Sequence, residues 1–305
     1  MLLFVAWLAF VQDPAAANLP ALLARVAEEA EIFQQNFPKT LTQESLEQRT
    51  LMPASRFRPH IGKNPPTDLP KPRLVIREIV SEYTVGALKD SAENNLVELR
   101  QVISVDGRKI QSAETARHAL SLGVKSPDDR LRKRMLEDFA RYGLVDIATD
   151  YGTILLAFSK RGLQNMRIAI AGEEQVGADA AWVLNWQQIT PAGGMLEFMG
   201  NQAARHPLEG RILLRKSDGL PLRVQAWTSH VQNGHTIFDQ ATVDYIASTH
   251  GFLTPVSVVH RHLIDGQPLT ENLYRYEPFK MFSAATDIKF TELSDTTPPS
   301  PPVKK

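Results

Sequence analysis

Hydrophobic and polar residues alternate with a period of two along the C-terminal third of the chain. Ile237, Ala241, Val243, Tyr245 and Ala247 fall on one side, and Thr236, Gln240, Thr242, Asp244 and Ser248 on the other. This alternation predicts a strand with one apolar and one wet face, as in an antiparallel sheet covered on a single side. Turn dipeptides bound the strands. Asp218-Gly219, Asn233-Gly234 and Asp265-Gly266 suit two-residue hairpin loops, because glycine accepts positive φ and Asn or Asp tolerates it. Glycines 219, 234, 251 and 266 are spaced by 15, 17 and 15 residues. The strands between them run to about a dozen residues, longer than the common five or six. A meander of long strands is expected from Leu220 onward.

Upstream the period changes. Leu19, Leu22, Leu23, Val26, Ala30 and Phe33 lie on one face of a helix predicted over 18–37, stopped by Pro38. A second short helix is expected around Thr42 to Thr50. Strands are predicted from Leu74 to Tyr83 and from Leu96 to Val105, the second turning at Asp106-Gly107 into Lys109-Ile110. Ser112 is placed as N-cap of a helix from Ala113 to Leu122, ended by Gly123. Ser126-Pro127-Asp128-Asp129 reads as N-cap, N1 proline and acidic first turn of another, with Leu131, Met135, Phe139 and Tyr142 on one face and Gly143 as terminator. Strands resume at 153–159, 163–171, 180–189, 195–199 and 208–216, and a last one is expected from Met281 to Phe290. The fold class is α+β. A large curved antiparallel sheet, a half-barrel of about ten strands, carries an N-terminal helix and two inserted helices, since strand and helix do not alternate.

Composition sharpens this picture at the ends. Leu2 to Val11 is an apolar run followed by Ala15, Ala16 and Ala17, which predicts a signal peptide over 1–17 and export to the periplasm or medium. The helical segment then occupies 18–50. From Arg49 to Arg73 six prolines and six basic residues meet one acid, Asp68. A basic, proline-rich linker is expected over 51–72, with transient contact to an anionic membrane surface as its alternative use. The β domain spans 73–290 with its helical insert at 113–142, and 291–305 is a proline-rich tail expected to be disordered. Lys and Arg total 34, as do Asp and Glu, so nothing pulls the chain toward nucleic acid. The basic run at Arg130, Arg132, Lys133 and Arg134 has acids one turn away on either side, which predicts a salt-bridged face.

Catalytic signatures are absent. The chain has no cysteine, which removes disulfides and thiolate chemistry. It also lacks a G-x-S-x-G elbow, an H-E-x-x-H pair, a P-loop and a dinucleotide glycine fingerprint. Five histidines gather between 230 and 262: His230, His235, His250, His260 and His262. His260 and His262 share a strand face, which is metal-ligand geometry, but an H-x-H spacing alone is weak and no metal is assigned. No cofactor is assigned either. Trp182, Leu184 and Trp186 line one strand face and Trp227 sits in a later strand. These four are the candidate ligand-binding residues if the sheet encloses a cavity, and core residues if it is filled.

The arrangement resembles the bacterial lipoprotein-carrier superfamily of LolA-like and LolB-like proteins. The shared features are the N-terminal amphipathic helix, the two helices among long strands, Val176-Gly177 leading into Ala181-Trp182-Val183-Leu184, and the hairpin from Leu208-Glu209-Gly210 through Leu220-Pro221-Leu222. Tyr274 to Phe290 is similar to uncharacterised secreted bacterial proteins. The resemblance implies a non-enzymatic protein holding lipid or lipoprotein acyl chains in an incomplete barrel. Two other readings stand beside it. One is a metal-dependent hydrolase using His230, His235, His260 and His262; the other is an envelope scaffold binding a protein partner.

Overall fold

The computed structural model describes residues 19–54, 71–88, 96–126, 128–145, 151–191, 195–199 and 202–282. The expected signal peptide, the middle of the linker, the proline-rich tail and the expected strand beyond residue 282 lie outside them. The first element is α1 (Leu19–Asn36), whose Leu22, Val26, Ala30 and Phe33 form a buried stripe. Pro38 falls in a 3-10 turn, Phe37–Lys39, that ends the helix.

After this turn the chain enters β1 (Thr40–Met52), a strand where a short helix was expected, and it takes Leu51 and Met52 from the stretch expected as linker. The reason lies in its inner face. Glu44, Gln48 and Thr50 are polar yet buried, so the apolar alternation of a strand is hidden. Arg100 and Asn272 bind two of these side chains from far along the chain, beyond the reach of a local pattern.

The remaining elements are β2 (Arg73–Ala87), β3 (Leu96–Val105), β4 (Arg108–Lys109), α2 (Ala113–Lys125), α3 (Asp129–Ala140), a 3-10 segment (Tyr151–Phe158) and α4 (Lys160–Leu163). Then come β5 (Met166–Val176), β6 (Asp179–Gln188), β7 (Met195–Met199), β8 (Gln202–His206) and β9 (Glu209–Arg215). The chain closes with β10 (Pro221–Gln232), β11 (His235–Ala247), β12 (Leu253–Ile264), β13 (Gln267–Tyr276) and β14 (Lys280–Met281). Twelve strands make one curved sheet in the order β4-β3-β2-β1-β13-β12-β11-β10-β9-β6-β5, with β14 beside β1, while β7 and β8 pair separately. Every pairing is antiparallel. The sheet is open, with β4 and β5 at its edges.

Two of the three expected two-residue turns form, while Asp218-Gly219 lies in a longer loop between Arg215 and Pro221 in which only Gly219 has positive φ. Asn233 and Gly234 have φ of 52° and 83°, and Asp265 and Gly266 have 50° and 75°, so both central residues of each loop are left-handed, as the twist of a hairpin requires. Ser112 caps α2, accepting from the Thr115 amide at 3.1 Å. Gly123 lies inside that helix and does not end it. A Cβ there would come 2.7 Å from the Met135 side chain, so the glycine lets α3 approach. The cap of α3 is Asp128, which accepts from the Arg130 amide, and not Ser126.

The segment over 151–158 is a 3-10 helix where a strand was expected. It is buried nearly all round, and a segment without a wet face has no period to separate helix from strand. Likewise Leu163 closes α4, and the strand expected from that residue begins at Met166. Ser159 caps α4 by accepting from the Gly162 amide.

The core lies against the concave face of the sheet, under α1 and the 3-10 segment. Phe33 stacks on Phe37 at 4.2 Å between ring centres, and Phe158 stands edge-on to Trp186 at 5.4 Å. Each such side chain contributes about 1.5–3 kcal/mol by leaving water. Leu99 alternates with Glu98 and Arg100, so it points to the opposite face and forms a satellite core with Leu120 and Met135.

Candidate functional site

Three of the four candidate ligand-binding residues share the inner face of β6. Leu184 and Trp186 are buried in the main core, and half-buried Trp182 packs against it beneath the Lys216 ammonium, 4.3 Å from the ring centre. Trp227 belongs elsewhere. It alternates with Val224 and Ala226, which face the core, and so lies on the outer face of β10. There its Nε1 donates to Glu209 Oε1 at 2.9 Å. Next to β6, the edge strand β5 turns Met166, Ile168 and Ile170 inward, and these are only partly buried. The apolar lining therefore runs from a sealed centre to a half-open rim at β5. The cover at this rim is α4, whose Lys160 pairs with Glu31 of α1 at 3.1 Å through exposed side chains.

The histidines separate. His230 stacks on His206 at 3.9 Å. His235 pairs with Asp265 at 2.6 Å across two hairpin tips. His250 reaches the Phe279 carbonyl in the loop after β11. Only His260 and His262 converge, both on Asp239, at 3.3 and 2.8 Å. Among the described residues no three His, Cys, Asp or Glu side chains are placed to hold a metal ion. The four-histidine hydrolase centre is thus not assembled, because strand register puts its members on different faces and at different ends.

Together these two histidines form a polar ladder. Asn272 donates to His260 Nδ1 at 3.1 Å, which leaves His260 Nε2 as the donor to Asp239. Gln48 donates to Asn272 at 2.6 Å and exchanges hydrogen bonds with both backbone groups of Val145. Tyr151 stacks on His260 at 5.5 Å. Burial pushes the Asp239 carboxyl up, but hydrogen bonds from His260 and His262 outweigh it and bring it down to about 2. The ladder thus ties Val145, after α3, to β1.

A second buried cluster lies beside it. Arg100 on β3 binds Glu44 through two hydrogen bonds, at 2.7 and 2.8 Å, and Glu98 at 2.5 Å. All three are at most 3% exposed. The guanidinium also lies 5.0–5.4 Å from the ring centres of Tyr83, Phe139 and Tyr274. Glu98 accepts from the Gly152 amide at 2.9 Å, which ties the 3-10 segment to β3. One cation thus binds two buried carboxylates. Burial raises Glu44, an effect that Arg100 only partly reverses. Burial works against the charge on Arg100, yet Glu44 and Glu98 hold it well above its ordinary pKa. Sequence reading passed over this group. Its signal is Glu98 and Arg100 two apart in one strand, which puts two opposite charges on one face.

No protein-family model matches the chain, and no curated protein matches it. Among solved structures it is similar to a DUF1329 family protein from Desulfovibrio piger at 12% identity, over 92% of this chain and 98% of that one, with a TM-score of 0.36. It is also similar to a domain assigned to outer membrane lipoprotein sorting from Vibrio parahaemolyticus. There the identity is 9%, the coverage is 85% of this chain and 94% of that one, and the TM-score is 0.32. Both likenesses are too distant to carry a function.

Proposed function

We propose that this chain is an exported, non-enzymatic carrier that takes an apolar ligand, a lipid or a lipoprotein acyl chain, against the inner face of its curved sheet. The observation that supports it is the half-open rim. Met166, Ile168, Ile170 and Trp182 are partly exposed, while Leu184, Trp186 and Ile212 farther in are buried. Aliphatic chains bind such surfaces because burial of apolar area is favourable and needs no directional partner. Loading then requires α1 and α4 to shift, since the described core side chains occupy the concave face. Exposed pairs such as Lys160–Glu31 hold the cover weakly and permit this. Leu184 and Trp186 meet the ligand only once the cover has moved. Trp227 takes no part.

Titration with the apolar fluorophore N-phenyl-1-naphthylamine tests the reading. Binding should be weakened about tenfold or more by Ile168→Asp, given a charge placed in an apolar lining, and left unchanged by Trp227→Phe. A protein that binds no fluorophore, and from which gentle extraction releases no lipid, would overturn it.

A further inference from the structure

A cleft of about 450 Å3 opens at the opposite edge of the sheet, where β2, the turn before β4 and the residues after α3 meet. Arg77, Arg108 and Arg141 line it, and among the described residues Asp106 is the only carboxylate of its walls. The geometry points to a binding site for a phosphate-bearing anion, either a lipid headgroup or a soluble phosphate ester. It stands apart from the apolar rim at β5 and does not depend on the carrier reading.

The arginines are held in place to different degrees. Arg77 donates through Nη1 to the Tyr142 carbonyl, and its Nε lies 3.5 Å from Asp106. Asp106 is itself fixed, accepting from the Glu78 amide at 2.8 Å in a left-handed turn position. Gly143 completes this wall. Its φ is +72°, a left-handed backbone that calls for glycine, and an added Cβ would lie 2.8 Å from Arg77 Nη1, so the glycine leaves the guanidinium room in this position. Arg108 is exposed and forms no ion pair among the described residues. Arg141 pairs at 3.1 Å with Asp138, which is not part of the wall, through largely exposed side chains, and such pairs yield readily to a better partner.

Charge and shape then select the ligand. Arg77 and Arg141 each have a carboxylate partner and Arg108 has none, so the cleft keeps an excess of positive charge, and the guanidinium fork matches pairs of phosphate oxygens. Val105, Tyr142 and half-exposed Ile110 give the same cleft an apolar side. A headgroup could rest its first methylenes there, which a soluble phosphate would not use.

Calorimetry with glycerol phosphate and co-sedimentation with phosphatidylglycerol or phosphatidylcholine vesicles, using the full chain, test the site. Wild type should bind glycerol phosphate, or phosphatidylglycerol in preference to phosphatidylcholine. Arg108→Glu with Arg141→Glu should lower that affinity about tenfold or more, as loss of charge-assisted hydrogen bonds implies. Arg108→Gln, a milder change at an exposed position, should lower it in the same direction. Arg134→Glu, on the exposed face of α3, reverses one charge outside the cleft where the double variant reverses two within it, and should leave binding within about twofold. Binding of the soluble ester without vesicles marks a soluble ligand; preferential vesicle binding marks a headgroup. Binding of neither, or equal losses from the cleft and Arg134 variants, overturns the site.

Discussion

Asp239 is where a single side chain most clearly sets a measurable property of this protein. It accepts from two imidazoles and its carboxyl titrates near 2, below the ordinary value near 3.9. The native state therefore binds its proton later than the unfolded chain does. The stabilisation is complete above about pH 5, fades as the pH falls toward 2, and amounts to about 2 kcal/mol. Urea unfolding of wild type and Asp239→Asn across this window should show an acid limb in wild type that is shallower in the variant. Parallel curves would mean the histidines do not hold the carboxylate. Sequence showed His260 and His262 on one face, but not Asp239 as their partner, because the three meet only through the register of β11 with β12. The Glu44–Arg100–Glu98 cluster was hidden for the same reason, its members lying on two strands separated in the sheet by β2.

Elements bounded by local chemistry were legible, and those defined by tertiary burial were not. The β10–β11 and β12–β13 hairpins keep to their Asn-Gly and Asp-Gly turns, and Ser112 caps α2. By contrast β1 hides its strand period behind buried polar residues, and the 3-10 segment over 151–158 has no polar face to give a period at all. The β10–β11 turn offers a test free of packing effects. Gly234 has a φ of +83° and open space where a Cβ would stand, so any cost of substitution comes from the backbone. Gly234→Val should cost about 1 kcal/mol or more, and Gly234→Asn distinctly less. Thermal melting of the two variants checks this; equal Tm values would show the loop relaxing out of its left-handed form.

At the scale of the whole molecule, the order of strands matters more than their number. β1 lies between β2 and β13, and the Gln48–Asn272 bond joins residues 224 apart. A chain ending at Ile264 would lose β13 and leave β1 and β12 each unpaired along one edge, which splits the sheet between them. Such a truncation should show no cooperative thermal transition, and a sharp one near the wild-type Tm would mean that the two halves of the sheet fold independently. The same placement has a temporal consequence. An emerging polypeptide presents β1 early and must wait for almost its whole length before the neighbour that seals that strand is made. Until then the nascent molecule keeps an unzipped seam, a state suited to threading through a narrow channel and hazardous if left to meet copies of itself.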